Sequence, residues 1–284
     1  MNRKEKQAMM LVKKPKKKWL PVEQNSMELS PVFNTSKGEQ KKGAARRELG
    51  KGKYIEISKN VKGELIQFGD LSTFLGCFLF LKHSQRRKRG CAFETSYYKF
   101  LSTLGERTGG RDYEKLKKSL DRLNDNRITT NFWWNTISGE RVILSKFYLI
   151  NSIQIGEGKE KGKLRITLNR DIVKSMEHGY LRWLEENKLK EILHLRGNAK
   201  ILTLFLLKQT NSGPGLKYSL EKIMDILGVR EKYGYLPKFR RNENIKRYVI
   251  PAIEKAANTI GYGSKYYPEE KIFRIWKERK SLTV

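Results

Sequence analysis

The chain has 284 residues, which suffices for one large or two modest domains with apolar cores of their own. Lysine and arginine number 60 against 30 aspartates and glutamates, and the formal net charge of +30 opposes compaction unless a polyanion or a membrane surface relieves it. The two cysteines, Cys77 and Cys91, form no CxxC pair, which excludes a disulfide framework, disfavours a zinc site and indicates a reducing, cytosolic setting.

Residues 1–53 are predicted to be a basic disordered arm. Lysine runs such as KKPKKKW are interrupted by proline, glycine and polar residues, and the segment has no helical or strand period. Such a composition buries too little apolar area to offset the entropy of ordering it. The segment is either a solubilising tail or an arm that lies along the phosphates of a nucleic acid.

Association with a membrane is not expected. The most apolar run, LSTFLGCFLFL from Leu71, is well short of the roughly 20 residues that span a bilayer, and it indicates a buried helix instead. The first residues carry cations but no apolar stretch of the length found in signal peptides. We therefore expect a cytoplasmic protein.

Residues 54–178 are predicted to form a first winged helix-turn-helix domain. The apolar helix from Leu71 leads into a basic loop, and a second helix is capped by Thr95 or Ser96 and ends at Gly105.

A third helix is predicted over 111–124. Its apolar residues recur on one side at helical spacing: Tyr113, Leu116, Leu120 and Leu123. Its cations recur on the opposite side. Alternating patterns over 126–134 and 141–151 then predict a hairpin that forms the wing, followed by a strand over 163–168 and a short helix over 170–176.

Residues 179–284 are predicted to repeat this plan as a second winged helix-turn-helix domain. Helices are expected over 198–209, 216–227 and 238–258, and a strand, a turn and a strand over 264–278. Pro251 should kink the last helix because it deletes one backbone hydrogen bond. The predicted fold class is α+β, with two tandem winged helix-turn-helix domains after the basic disordered arm.

The third helix of a helix-turn-helix enters the DNA major groove, where arginine pairs with guanine and asparagine with adenine, while lysine binds phosphates. The candidate DNA contacts of the first domain are Thr108, Gly109, Gly110, Arg111, Lys115, Lys118 and Arg122 on this helix, Arg86, Arg87, Lys88 and Arg89 in the basic loop, and Arg141 in the wing. Those of the second domain are Arg240, Arg241, Asn242, Asn244, Lys246 and Arg247. For each set the alternative is an ordinary solvated surface.

Signatures of catalysis are missing from the sequence. There is no GxxxxGK[ST] phosphate loop. His83, His178 and His194 stand apart, without the HxH pair that a metal-dependent nicking enzyme needs. We therefore expect a protein that is not an enzyme and that uses no metal or other cofactor.

The run LGERTGGRDYEKLKKSLDRL from Leu104, followed by RITTN from Arg127, resembles the core signature of the plasmid replication initiator protein A family. LNRDI from Leu168 and GYLRWL from Gly179 are weaker similarities. IKRYVIPAIE from Ile245 is similar to the second winged-helix domain of the wider group of iteron-binding initiators.

The resemblance implies a bacterial protein that binds repeated double-stranded DNA sites in a plasmid origin. It further implies that the protein helps to open the origin and recruits the host helicase and primase machinery without catalysis. A winged-helix transcriptional regulator that represses its own gene is the first alternative, and a relaxase or nicking enzyme is the second. An RNA-binding module is disfavoured because paired recognition helices suit the DNA major groove better. Whether the monomer or a homodimer is the active form stays open.

Overall fold

A computed structural model of the chain describes residues 19–23, 27–50, 52–59, 63–85, 90–135, 140–141, 144–156, 162–177, 181–210 and 215–277. The predicted basic loop 86–89 lies outside these ranges. The α+β class is confirmed, because helices and antiparallel sheets make up the described chain. Among the described residues, no helix combines the length and the apolarity that a bilayer crossing requires.

The helices and strands are numbered in chain order. The helices are α1 (Lys37–Lys42), α2 (Asp70–Gln85), α3 (Tyr97–Leu104), α4 (Gly110–Asp125), α5 (Arg170–Glu177), α6 (Glu186–His194), α7 (Asn198–Gln209), α8 (Leu220–Ile226), α9 (Arg230–Gly234), α10 (Lys238–Asn244) and α11 (Ile250–Thr259). The strands are β1 (Trp19–Glu23), β2 (Ala44–Gly50), β3 (Lys53–Lys59), β4 (Ala92–Ser96), β5 (Asn126–Thr130), β6 (Trp134–Asn135), β7 (Glu140–Arg141), β8 (Ser145–Tyr148), β9 (Ile150–Ile155), β10 (Lys163–Leu168), β11 (Leu181–Glu185), β12 (Gly215–Ser219), β13 (Tyr262–Tyr267) and β14 (Ile272–Lys277).

The first half is built from α2, β4, α3, α4 and the hairpin β9–β10, whose strands form a sheet in the order β4-β10-β9. The Ser96 side chain accepts the Lys99 N–H and caps α3, as predicted. Gly105 ends that helix in the left-handed conformation, at φ 72°, where a Cβ atom would be strained. The predicted third helix is confirmed as α4, and its apolar side is buried.

The second half repeats this order with α7, β12, α8, a long final helix and the hairpin β13–β14. Its sheet has the order β12-β14-β13, so the first strand again lies beside the last. The helix predicted over 216–227 is wrong in its first part, because 215–219 pairs with β14 as a strand. Ser219 then caps α8, and the helix begins only after it.

The helix predicted over 238–258 is not one regular α-helix, and its irregular part lies before Pro251; the kink itself stays a prediction. Between α10 and α11, residues Ile245–Val249 form a π-helical turn. Pro251 stands in the first turn of α11, where its missing N–H has no intrahelical partner to lose. Wide turns of this kind occur often at functional sites.

The hairpin predicted over 126–134 and 141–151 is confirmed, because β5 pairs antiparallel with β8 and β6 with β7. Its predicted role as the wing of the first domain is wrong, because it does not join the sheet that contains β4. Strand β5 pairs with β3 on one side and β8 on the other, in a four-stranded sheet of order β2-β3-β5-β8. The hairpin that joins β4 is β9–β10. Alternation along β5 buries Asn126, Ile128 and Thr130, but such a pattern does not show which further strands join the same sheet.

The prediction that residues 1–53 are a disordered arm is wrong for the residues that the structure describes. Strand β1 pairs antiparallel with β11. Residues 27–50, here called the N-terminal brace, form a 3₁₀ turn, α1 and β2. Met27, Leu29 and Phe33 of the brace are each at most 1% exposed. These side chains supply the apolar burial that the lysine-rich composition concealed.

The brace contacts both halves of the molecule. The ring of Phe33 stacks on Phe74 of α2 with centroids 6.0 Å apart, while the Ser30 hydroxyl donates to the Ile201 carbonyl of α7 at 3.1 Å. The buried guanidinium of Arg47 lies against Gly228, just beyond α8, and leaves no room there for a Cβ atom. The brace is therefore shared by the two cores.

The charge of Arg47 is balanced within the brace itself. Its guanidinium binds the Glu39 carboxylate and the Asn34 carbonyl. Burial alone would raise the pKa of Glu39, but its hydrogen bond and ion pair with Arg47 hold that pKa below the usual value. Glu39 also accepts the Ser36 N–H in a capping box that starts α1.

Candidate nucleic-acid interface

The exposed side of α4 carries both signs of charge. Leu116, Leu120 and Leu123 are buried, which turns the remaining faces toward solvent or toward neighbouring elements. Its exposed charged residues are Arg111, Glu114, Lys115, Lys117, Lys118 and Asp121. Lys115 pairs with Asp112 at 3.1 Å, and this exposed pair contributes little to stability. The free surface of α4 is therefore only weakly basic.

Arg122 does not lie on that exposed surface, contrary to its prediction as a DNA contact. Its Nε and Nη2 atoms each donate to the Asp70 carboxylate at 2.8 Å, and Nη1 donates to Glu64 at 2.9 Å. The side chain of Arg122 is 13% exposed and that of Asp70 is 1% exposed. Burial lowers the pKa of Arg122, but its carboxylate partners outweigh this and raise it. The bidentate geometry holds α4 to the start of α2.

One side of α4 lines a cleft of about 620 Å³ between the two halves. The facing residues come from the end of α6 and the start of α7. Within the cleft, the Ser119 hydroxyl donates to Thr73 at 2.8 Å. This side of α4 is therefore engaged with the rest of the protein, which the helical periodicity of the sequence alone could not show.

Lys200 of α7 lines the same cleft and was not among the predicted site residues. It is 4% exposed, donates from Nζ to the Ser72 hydroxyl at 2.7 Å, and lies 5.3 Å from the centroid of the Phe68 ring. Burial lowers its pKa to about 8, against a smaller opposing effect of Glu106. The signal in the sequence is a lone lysine within the apolar run NAKILTLFLL.

The two glycines at the start of α4 are not required by the fold of the chain. Gly109 caps the helix with extended backbone at φ −90°, and no side chain caps it. A Cβ atom added at Gly110 would meet nothing within 4 Å. Together with Thr108, they leave the first turn of α4 open to close approach by another molecule, as was predicted for a phosphate.

The long helix of the second half presents its cations freely. Arg240, Lys246 and Arg247 are exposed, and none of them forms an ion pair among the residues that the structure describes. Asn242 and Asn244 both lie on α10, as predicted. Asn242 is exposed and Asn244 is half-buried. These residues are brought together on α10 and the π turn, which makes this surface the stronger candidate of the two.

Arg241 is the exception on this helix. Its Nη2 atom donates to the Gly234 carbonyl at 2.9 Å and to the Leu236 carbonyl at 3.3 Å. These bonds fix the turn between α9 and α10, so Arg241 has a structural role and is not a free contact as predicted.

A basic groove of about 760 Å³ separates this helix from the hairpin β13–β14. Five cations and one acid, Glu221, line it; the cations are Arg230, Lys238, Arg241, Lys246 and Lys271. On the hairpin, Lys265 and Arg274 lie over the ring of Tyr267, at 5.5 Å and 4.6 Å from its centroid. Lys271 at the turn of the hairpin and Lys238 and Lys246 on the helix therefore place positive charge on two sides of one groove.

Five of the predicted contacts cannot be placed. Arg86, Arg87, Lys88 and Arg89 lie outside the described residues, and so does the side chain of Arg141. The backbone of Arg141 pairs with Trp134 in the short hairpin β6–β7, not in the hairpin beside β4.

Comparison with known proteins agrees with this architecture. The model of the replication initiator protein A family matches residues 22–188, more than half of the chain. Crystal structures of domains 2 and 3 of RctB share the fold. A selenomethionine derivative has a TM-score of 0.53 at 13% identity, covering 82% of this chain and 90% of that one. A second structure has a TM-score of 0.50 at 12% identity, covering 84% and 92%. No curated protein sequence matches. The chain is a replication initiator and belongs to the replication initiator protein A family.

Proposed function

We propose that this initiator binds repeated double-stranded DNA sites in a plasmid origin through two tandem winged helix-turn-helix domains. Both halves contain, in this order, a helix, a strand, two helices and a hairpin, with the first strand beside the last. In the first half β5 to β8 are inserted between α4 and the hairpin, and in the second half the short α9 precedes the long helix. On this assignment α4 and the long helix of the second half are the recognition helices. The hairpins β9–β10 and β13–β14 are the wings.

The observation that carries the proposal is the set of unpaired cations on α10 and the π turn. A helix with its side chains is about 10 to 12 Å wide and fits a major groove of about 12 Å. Arg247 can pair with a guanine edge, Asn242 with an adenine edge, and Lys246 with a phosphate. Because no carboxylate holds these cations, DNA would displace only counterions from them.

On this proposal the protein does not catalyse a reaction. It opens the origin by binding, and it recruits the host helicase and primase in the bacterial cytoplasm. The formal net charge of +30 supports binding to a polyanion. This argument holds equally for a monomer and for a homodimer.

The test is a titration of DNA affinity against salt. Fluorescence anisotropy on labelled DNA that flanks the gene should show affinity falling steeply as salt rises, because many phosphates are neutralised. Footprinting on the same DNA should protect repeated sequences. A shallow salt dependence, or protection no different from that on random DNA, would contradict the proposal.

A transformation assay separates an initiator from a transcriptional regulator. A plasmid that carries the flanking DNA but lacks its own initiator should replicate only when the protein is supplied. A regulator would leave such a plasmid unable to replicate. A nicking enzyme would instead produce a covalent protein–DNA adduct with magnesium or manganese, and we expect none.

A further inference from the structure

Two aromatic rings project into solvent around the start of α10, Tyr235 from the turn before the helix and Phe239 from its first turn. Tyr235 is 88% exposed and Phe239 is 72% exposed, which makes them the most exposed large apolar side chains in the part of the chain that the structure describes. Exposed aromatic area of this size is unfavourable in water unless another molecule covers it. The two rings are therefore candidates for contact with a ligand.

The turn that carries these rings is held in place by the rest of the fold. Arg241 donates to the Gly234 and Leu236 carbonyls, on either side of Tyr235, and the Leu236 N–H donates to the Tyr233 carbonyl at 3.2 Å. Tyr233 is itself buried. Pro237 precedes α10 and fixes the backbone between the two rings. The rings are thus presented on a fixed backbone, which lowers the entropic cost of binding.

The charge around the rings indicates what covers them. Lys238 and Arg240 flank Phe239 and are exposed, and neither forms an ion pair within the described ranges. An apolar protein surface pressed onto the rings would desolvate these cations without compensation. A nucleic acid instead supplies phosphates for the cations and flat bases for the rings, which is the combination found where proteins hold single-stranded DNA.

We propose that Tyr235 and Phe239 stack on DNA bases that have left the duplex at or beside the bound site. The inference rests on the proposed function, because the rings lie at the first turn of the helix assigned to the major groove. Bases inside a paired duplex are covered by their neighbours, so the rings gain contact only when a base is unstacked. A protein that binds the open state more tightly shifts the equilibrium toward opening.

The test compares paired and locally open DNA. The probes are the duplex that flanks the gene and the same duplex with a short mismatched bubble beside a protected repeat, labelled there with 2-aminopurine. The wild-type protein should bind the bubble duplex about 10-fold more tightly, since one stacked base contributes roughly that factor. Its binding should also change the fluorescence of the 2-aminopurine.

Two double variants separate stacking from simple apolar contact. Tyr235→Leu with Phe239→Leu keeps an apolar surface but removes the flat rings. It should abolish the preference for the bubble and leave affinity for the paired duplex within about twofold. Tyr235→Phe with Phe239→Tyr keeps both rings and should retain the preference. Tyr98→Leu, a 62% exposed tyrosine of the first half, is the matched control and should behave like wild type.

The outcomes distinguish this inference from the proposed function. If wild type binds the paired duplex with a steep salt dependence but shows no preference for the bubble, the inference is wrong and the proposed function stands. If the double leucine variant keeps the preference, the rings do not stack on bases and an apolar protein partner becomes the better assignment. If wild type binds neither DNA, the proposed function is wrong, and the inference that rests on it is wrong as well. Binding of the paired duplex also shows that each variant is folded.

Discussion

The helix α4 and the long helix of the second half occupy the same position in two similar halves, yet they present different charge. Between residues 110 and 125 there are five cations and four acids, whereas between 238 and 249 there are five cations and one acid. On α4 two of the five cations are paired, Lys115 with Asp112 and Arg122 with Asp70, and the exposed acids Glu114 and Asp121 lie among the other three. On the second helix Lys246 and Arg247 have no carboxylate partner in the described residues. Similar topology therefore does not give a similar distribution of charge.

The physical difference lies in what DNA would have to displace. A phosphate that approaches α4 competes with Asp112 for Lys115 and is repelled by Glu114 and Asp121. A phosphate that approaches α10 and the π turn displaces only counterions, which is favourable at low salt. We therefore expect the second half to dominate DNA affinity and α4 to contribute more to the stability of the chain.

The largest expected effect is on stability, from Arg122→Ala. Removing the guanidinium leaves the Asp70 carboxylate, which is 1% exposed, without its cation. The free energy of unfolding should fall by about 3 to 5 kcal/mol, as measured by urea denaturation. The matched change on the other helix, Arg247→Ala, should alter it by less than about 0.5 kcal/mol. Equal losses in the two variants would contradict the contrast between the helices.

The next effect is the pH dependence that Lys200 imposes on the cleft beside α4. Its pKa is lowered by burial from 10.5 in the unfolded chain to about 8. Between these two values the unfolded state binds more protons than the folded state, so the free energy of unfolding rises with pH, by about 3 kcal/mol in total. Below about pH 8 both states carry the charge and this contribution is constant.

Lys200→Met removes that titration. Relative to wild type, the variant should be more stable near neutral pH, and the difference should shrink as pH rises through the interval. Urea denaturation at several pH values measures it. The same substitution at exposed Lys118 of α4 is the control and should leave the profile unchanged. The prediction is contradicted if the free energy of unfolding of wild type falls across this pH interval. It is also contradicted if the Lys200→Met variant shows the same slope as wild type, because burial would then not have lowered the pKa of Lys200.

A smaller effect, on DNA affinity, compares single cations on the two helices. Arg247→Ala should weaken binding to the specific site by about 1 to 3 kcal/mol and relax sequence preference if Arg247 reads a base. Arg111→Ala on α4 should weaken binding less, because Asp112 and Glu114 lie one and three residues after Arg111 and already oppose its charge. Anisotropy on specific and random DNA measures both. Equal losses on the two DNAs would assign Arg247 to a phosphate, and a larger loss for Arg111 would reverse the ranking of the helices.

The smallest effect tests whether the halves are alike where their charge does not differ. Ser96 and Ser219 stand at the same place in the two halves, and each accepts the N–H three residues later at 3.1 Å. Alanine at either position should lower the free energy of unfolding by about 1 kcal/mol, by thermal or urea denaturation. Clearly different losses would show that the repeat of topology does not extend to local energetics.

The parts of the fold that were predicted from the sequence depend on local patterns. The helical period of Leu116, Leu120 and Leu123 defined α4, and Ser96 and Gly105 marked the ends of α3, because caps and periodicity act within a few residues. The free cations around Arg247 were found for the same reason. Nothing distant in the chain changes their exposure.

The parts that were not predicted depend on contacts between distant residues. The partner of Arg122 lies 52 residues earlier, so helical spacing assigned this cation to the exposed face. The buried side of strand β2 consists of Ala45, Arg47 and Leu49. Because an arginine takes the middle buried position, the sequence of β2 does not show an alternation of apolar and polar residues. β5 pairs with β8 as the predicted hairpin requires, but its second partner β3 was not predicted to be a strand. The partner of β3 on its other side, β2, lies in the segment that composition had excluded from the fold. Composition wrongly predicts disorder where a few apolar residues of a charged segment are buried against two cores.

The N-terminal brace has a consequence for how the chain folds during synthesis. Ser30 bonds to Ile201, 171 residues later, and Asn34 bonds to Leu227, 193 residues later. At roughly 5 to 20 residues per second, these early side chains wait on the order of 10 to 40 s for their partners to leave the ribosome. During that time Leu29 and Phe33 have no second half to pack on. Contacts so far apart in sequence slow folding, so the last helices made decide when the first folded segment becomes stable.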